Sequence, residues 1–211
     1  MTADLTPDLL ETAALAAGLA WASGIRLYAA LFLVGLLGRL GYVDLPSGLV
    51  LLAHPLVLAA SGLAFLIEFG ADKVPGLDSL WDALHTFIRI PAGALLAAAA
   101  VGHHDPAIAL AAGVLGGTLA SGAHFTKAAS RALINTSPEP ISNVAASTTE
   151  DAMVIGGLWA ALFHPLAFLA LLALFIAGTL WLLPRLWRGL RRVFLGVSQL
   201  LSAGGSAPRA Q

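Results

Sequence analysis

The 211-residue chain has no cysteine, which excludes disulfide frameworks, thiolate nucleophiles, zinc fingers and cysteine-ligated iron–sulfur clusters. Charge is scarce as well. Only 11% of residues are Asp, Glu, Lys or Arg, whereas a soluble domain carries about 25%. Eleven Lys and Arg against twelve Asp and Glu give a formal net charge of -1, so there is no broad basic field to hold a nucleic-acid backbone, and nucleic acid is not a partner. The sequence also lacks a Gly-x-Ser-x-Gly elbow, a phosphate loop, a His-Glu-x-x-His pair and a dinucleotide fingerprint, so no catalytic residue is assigned and no cofactor is implied. The histidines are scattered. His103-His104-Asp105 is their one local cluster, and it is too small to supply the three or four ligands of a metal site. What the chain does have is apolar residues, at 58%. This places it in the all-α class as a polytopic membrane helix bundle, with the lipid bilayer as its first partner.

A hydrocarbon core of about 30 Å needs about 20 apolar helical residues. Four intervals meet that length: Thr12–Gly38, broken only by Arg26; Leu45–Ile67, with His54; Pro106–Thr126, with His124; and Ala152–Pro184, with His164. A further uncharged stretch, Ile90–His104, crosses only if the turns from Asp82 to Arg89 extend it. The last interval exceeds a bilayer, so it tilts, kinks, or divides near His164-Pro165, and the total is five or six spans. Ser147-Thr148-Thr149-Glu150 has the form of a capping box, which predicts a helix start near Thr148. The segment Asn135–Asn143, with Pro138 and Pro140, interrupts the helices as an external loop or as a re-entrant or interfacial feature.

Arg39, Arg185, Arg188, Arg191, Arg192 and Arg209 gather on one side of a five-span chain, which predicts a cytoplasmic C-terminus in a bacterial inner membrane. Asp4, Asp8 and Glu11 take the place of the basic region of a cleavable signal peptide. After Pro184 the run from Leu186 to Phe194 alternates basic and apolar positions, and reads as an interfacial helix on anionic headgroups or as a positive anchor. Residues 1–201 form one transmembrane domain, and the small polar tail 202–211 is expected to be disordered. Ala22-Ser23-Gly24 recurs as Ala120-Ser121-Gly122, and His54-Pro55-Leu56 as His164-Pro165-Leu166. With three spans between the copies, halves 12–102 and 106–201 would form an inverted repeat, an arrangement that places sites between the halves. Small residues in Ala94–Gly102 and Gly113–Gly122 allow close helix contact and a homodimer.

Ionisable groups at membrane depth need a partner or a task. Arg26 lies too deep in its span for easy snorkelling, and it cannot be neutralised by losing its proton. His124, Lys127 and Arg131 share one helical stripe, and Glu68, Asp72, Asp78 and Asp82 keep a spacing of four. These acids emerge on the same side as Lys127, Arg131, Glu150 and Asp151. The candidate ion- or solute-binding residues are therefore Arg26, Glu68, Asp72, Lys73, Asp78, His124, Lys127 and Arg131. They make either a polar site, whose acids take a cation or proton and whose bases gate it or hold an anion, or a set of structural ion pairs. The first choice makes the chain a small transporter or channel; the second makes it a membrane scaffold or assembly factor.

The stretch Glu68-Phe69-Gly70-Ala71-Asp72-Lys73-Val74-Pro75-Gly76-Leu77-Asp78-Ser79-Leu80-Trp81-Asp82, together with Ser121–Asp151, resembles the bacterial integral-membrane family catalogued as domain of unknown function 4126 (DUF4126). The resemblance runs from the first span through the fifth. It implies a small multi-span inner-membrane protein with the two polar loops as family features, and it carries no activity with it.

Overall fold

The structure, a computed structural model, describes residues 7–102, 105–136 and 140–204. All regular structure among them is helical: α1 (Pro7–Arg39), a short 3-10 helix (Ser47–Ala53), α2 (Pro55–Ala71), α3 (Leu77–Ala100), α4 (Pro106–Ile134), α5 (Pro140–Phe163) and α6 (Pro165–Gly204). Five of the six α-helices begin at a proline, whose fixed φ suits the first helical position and whose missing N–H would have had no partner there. The residue before the proline completes two of these starts. The Leu56 N–H donates to His54 Nδ1 at 3.2 Å, and the Ala107 N–H donates to Asp105 Oδ1 at 2.7 Å. Gly76 takes φ +82° in the tight turn between α2 and α3, a conformation that suits glycine.

The chain is a polytopic helical membrane protein. By length and composition Leu9–Arg39, Leu77–Ala100, Pro106–Ile134 and Pro165–Gly189 are each long and apolar enough to cross, and Ser47–Ala53 with Pro55–Ala71, bent by 69°, adds a fifth if the pair counts as one broken span. Large apolar side chains such as Phe87 (84% exposed), Leu95 and Leu110 point outward, as a lipid-facing surface requires. The interval expected to be the fifth span divides at His164 into α5 and α6, and α6 runs unbroken through Pro184 to Gly204. Ser202–Gly204, expected to start a disordered tail, are therefore helical, and the rest of that tail lies outside the described residues. So do His103 and His104. The predicted helix start near Thr148 is also corrected: α5 begins at Pro140, and Ser147 to Glu150 sit inside it.

The largest departure concerns α1. Its 33 residues would measure about 50 Å if straight. Instead the helix breaks at Arg26, whose backbone is non-helical (φ -143°, ψ 74°). Ala13, Ala16 and Ala17 of the first limb share a cavity with Ala97 and Val101, so this limb starts beside the C-terminal end of α3. The second limb finishes at the same end, since Gly38 lies against Leu45, and Gly48, three residues on, lies against the Ala99 carbonyl. Glu11, Thr12 and Leu15 line one small cavity with Val43, Asp44 and Pro46, which closes the circuit. α1 is thus a helical V with its tip at Arg26 inside the bundle, and it does not cross. The expected first span is corrected accordingly, and Arg39 lies at the opposite end from Arg185, Arg188 and Arg191.

This geometry also removes the inverted repeat. The first limb of α1 runs parallel to α4: Ala13 to Ala17 face Ile108 to Gly116, and Gly24 abuts Ala120 and His124. The helices that begin at His54-Pro55 and His164-Pro165 leave from the same end of the bundle. The echoed tripeptides therefore lie in parallel, because doubling α1 back removes one crossing from the count.

The absence of native cysteine makes the V directly testable. Single substitutions Glu11→Cys and Asp44→Cys should be labelled by a membrane-impermeant maleimide from the same face of the membrane, and Arg191→Cys from the other. Labelling of positions 11 and 44 from opposite faces would mean that α1 crosses.

Candidate functional site

Each helix around the α1 tip presents a polar stripe to the bundle interior. On α3 the buried set is Asp78, Asp82, His85 and Arg89, spaced four, three and four residues apart on one helical face. On α4 it is His124, Lys127 and Arg131; on α5, Asn143 and Ser147 are buried, followed by Glu150 and Asp151. The last turn of α2 adds Glu68, and Asp72 follows as its cap. An uncompensated charge facing lipid costs several kcal/mol, so these stripes turn toward one another.

Arg26 joins them at the tip. With 0% exposure, its NH1 lies 2.5 Å from Asp72 Oδ2 and its Nε 3.0 Å from Asp151 Oδ1. Its NH2 donates to the Ser147 carbonyl (3.1 Å) and hydroxyl (2.8 Å), with Glu150 Oε2 at 3.5 Å. The break leaves carbonyls of the first limb's last turn without helical donors, and Lys127 Nζ donates to one of them, Ile25 O, at 3.2 Å. Gly24 makes this approach possible, since a Cβ there would run into the Ala120 carbonyl and the Ala123 side chain.

Lys127 is the hub. Its ammonium stands 2.7 Å from Asp72 Oδ2, 3.2 Å from Asp82 Oδ1 and 3.5 Å from Glu150 Oε2. Arg89 holds Asp82 Oδ1 at 2.6 Å and pairs closely with Glu68 Oε1, and His124 bridges Arg89 (3.5 Å) to the Thr86 hydroxyl (2.7 Å). Arg131 grips Glu150 with two bonds of 2.9 Å and donates to the Asn143 carbonyl and side-chain oxygen at 3.0 Å. Asn143 in turn donates to Asn135, and Asn135 donates to Asp78 and Ser79.

The charge count decides what this site can do. Among the described residues Glu68, Asp72, Asp78, Asp82, Glu150 and Asp151 are six carboxylates and Arg26, Lys73, Arg89, Lys127 and Arg131 are five cations, so this set, fully ionised, is one charge negative. Every cation touches at least one carboxylate, and Arg89 Nε is the guanidinium nitrogen in this set with neither an ion pair nor an acceptor among the described residues. In contrast Glu68 Oε2, Asp72 Oδ1 and Asp82 Oδ2 are buried with neither a donor nor an ion pair there. The spare capacity lies on oxygen, which disfavours the expected option of bases holding an anion.

Of the predicted site residues, Arg26, Glu68, Asp72, Asp78, His124, Lys127 and Arg131 converge in this network. Lys73 sits at its edge, over the Phe69 ring, with Ser147 Oγ at 3.3 Å and Asp151 at 4.0 Å. Partial burial draws its ammonium below the ordinary lysine range, against the pull of Asp151. Asp82, Glu150 and Asp151 were weighed as neighbours and are full members. Arg89, Asn143 and Ser147 were missed as members, although the stripe of Asp78, Asp82, His85 and Arg89 is legible in the sequence once α3 is allowed to start at Leu77.

An all-helical bundle with lipid-facing apolar sides and a buried ion-pair network around a broken helix defines a polytopic membrane protein with a polar heart. The chain belongs to the family described as domain of unknown function (DUF4126), whose model matches residues 13–185. Comparison with curated proteins and with solved structures finds no match.

Removing one partner of a buried pair strands the other. Arg89→Met should destabilise the protein by about 3–5 kcal/mol in mixed-micelle unfolding, and adding Glu68→Gln should recover part of the loss. An Arg89→Met variant as stable as wild type would show that the pair is not closed as described.

Proposed function

We propose that the chain is a small transporter or channel whose ion is a proton, or a cation small enough to take a proton's place, handled by the network at the α1 tip. One observation carries this reading: a buried network with, among the described residues, one carboxylate in excess and buried acid oxygens without donors surrounds a helix break inside the bundle. Broken helices with buried ionisable groups recur where membrane proteins bind ions.

The residues supply a route. Lys127 stands among three carboxylates, so a proton arriving on Asp72 would weaken one contact and release the ammonium toward Asp82 and Glu150. Glu150 and Asp151, at 12% and 13% exposure, connect the network to the end of the bundle where α2 passes into α3. From the opposite end a cavity of about 160 Å³, lined by Glu11, Thr12, Asp44 and apolar neighbours, opens between the two ends of the V. Spreading the limbs would carry that opening toward Arg26. The end bearing Arg185, Arg188, Arg191 and Arg192 is assigned to the cytoplasm of a bacterial inner membrane on the positive-inside rule.

A second reading has its own support, because each cation already touches a carboxylate: the network would then be a structural clasp in a membrane scaffold. Liposome flux separates the two. Reconstituted wild type under an imposed potassium diffusion potential should acidify or alkalinise a trapped pH dye faster than empty liposomes. Asp72→Asn with Lys127→Met removes opposite charges together and should keep the fold while abolishing flux. Wild-type flux no greater than that of empty liposomes, for protons and for a panel of alkali cations, would overturn transport and leave the clasp.

A further inference from the structure

Outside the network, the cations of α6 stand apart. Arg185, Arg188 and Arg191 are exposed, and none has a carboxylate within ion-pair distance among the described residues. Arg185 stacks on Trp181, 3.8 Å from the ring centroid, and Arg188 Nε donates to the Pro184 carbonyl at 3.2 Å. These contacts hold the stems against the helix and leave guanidinium edges for an anion. The acids among the described residues lie in the network or at the other end of the bundle, so none of them reaches these arginines and the row is free to take an anion from the surroundings.

Directly beside these arginines, between α4 and α6, lies an apolar groove of about 540 Å³, lined by Phe125, Ala128, Ala129, Leu183, Pro184 and Trp187. Ala128 and Ala129 are too small to fill the space opposite Pro184, and Trp187, 68% exposed, forms one wall. Helical spacing puts Arg188 one turn beyond Pro184 and Arg191 one turn beyond Trp187, at the end where α6 leaves the membrane-spanning segment Pro165–Gly189. Slot and charge follow one another along the helix in the order of an acyl chain and its headgroup. Zwitterionic lipid would fill the groove equally well but would leave the guanidinium row without net charge complementarity.

We infer that the α4–α6 groove is a binding site for an anionic phospholipid, with one acyl chain against Phe125, Pro184 and Trp187 and the headgroup phosphate on Arg188 and Arg191. The site would fasten α6 to α4 on the side facing away from the V, independently of whether the network moves ions.

Bromine on an acyl chain quenches a tryptophan it touches, which gives a readout separate from stability. Full-length protein is reconstituted into phosphatidylcholine vesicles containing a minor fraction of dibrominated phosphatidylglycerol or, in parallel, dibrominated phosphatidylcholine. The Trp187 contribution is isolated by difference from Trp187→Phe. Phosphatidylglycerol should be preferred by about thirtyfold, roughly what two arginines near an anionic headgroup supply. Arg188→Gln with Arg191→Gln should equalise the two lipids, while Ala129→Leu should cut Trp187 quenching by both. Equal quenching in wild type, an unchanged preference in the double arginine variant, or displacement of the lipid by inorganic phosphate would each overturn the assignment. These substitutions lie on exposed or groove-lining positions, and native circular dichroism of each variant confirms that the quenching is read on folded protein.

Discussion

The structure depends on what a guanidinium requires at full burial. Arg26 is wholly inaccessible and lies at the tip of the V, far from either end of α1. It therefore has to be met by acids, and the nearest come from two separate elements: Asp72 after α2, and Glu150 and Asp151 on α5. Drawing those segments to one point sets where α2 ends and where α5 passes. It also helps to place Lys127 and Arg131, since Lys127 shares Asp72 and Glu150 with Arg26 and Arg131 shares Glu150. A hydrophobic side chain at position 26 would have left these stripes with no common centre, because between helices in lipid apolar contact alone does little to choose one packing over another.

The break at Arg26 follows from the same requirement. A straight α1 would carry its last turns past the bundle, whereas doubling back packs the first limb on α3, α4 and α5, sets the second limb against α2 and α3, and presents the tip to the charges. Ser23 and Gly24, weak helix formers just before the break, lower the cost of ending the first limb there. Gly24 also lets α4 come close enough for Lys127 to reach the Ile25 carbonyl. The interrupted hydrogen bonds and the buried ammonium thus satisfy each other, which a lipid-exposed break could not achieve.

Much of this was legible in the sequence, and the failures have physical causes. Bilayer length and proline placement located the helix start at Pro106 and offered a division at His164-Pro165, while Pro55 falls inside an apolar interval that the structure breaks there, and the spacing of His124, Lys127 and Arg131 identified the inward stripe of α4. The direction of α1 was not legible, because hydropathy measures length and apolarity and is blind to a single residue leaving the helical region. From that one error came the false parity of the repeat and the wrong side for Arg39. The Ser-Thr-Thr-Glu run misled for a related reason: a hydroxyl and a carboxylate three residues apart suit a cap, and they equally suit two ligands on one face of a continuing helix. Ser147 and Glu150 take the second role because Arg26 and Arg131 compete successfully for them.

The distribution of charge across the whole chain bears on what the network is for. A buried ion pair seldom stabilises a protein more than well-packed apolar residues of the same volume, since desolvating two charges offsets most of their attraction. Eleven ionisable groups in one network are therefore a costly way to hold six helices together, and a clasp could be built with equal numbers of each sign. Among the described residues this one is not balanced: its acids exceed its bases by one, while arginines with no carboxylate in ion-pair reach stand on the C-terminal part of α6. A permanently ionised excess carboxylate at this depth would be unfavourable, and a bound proton removes the penalty without any new side chain. If that proton is shared through Lys127 among Asp72, Asp82 and Glu150, the contacts that define the resting structure would also be the ones that change when the proton leaves.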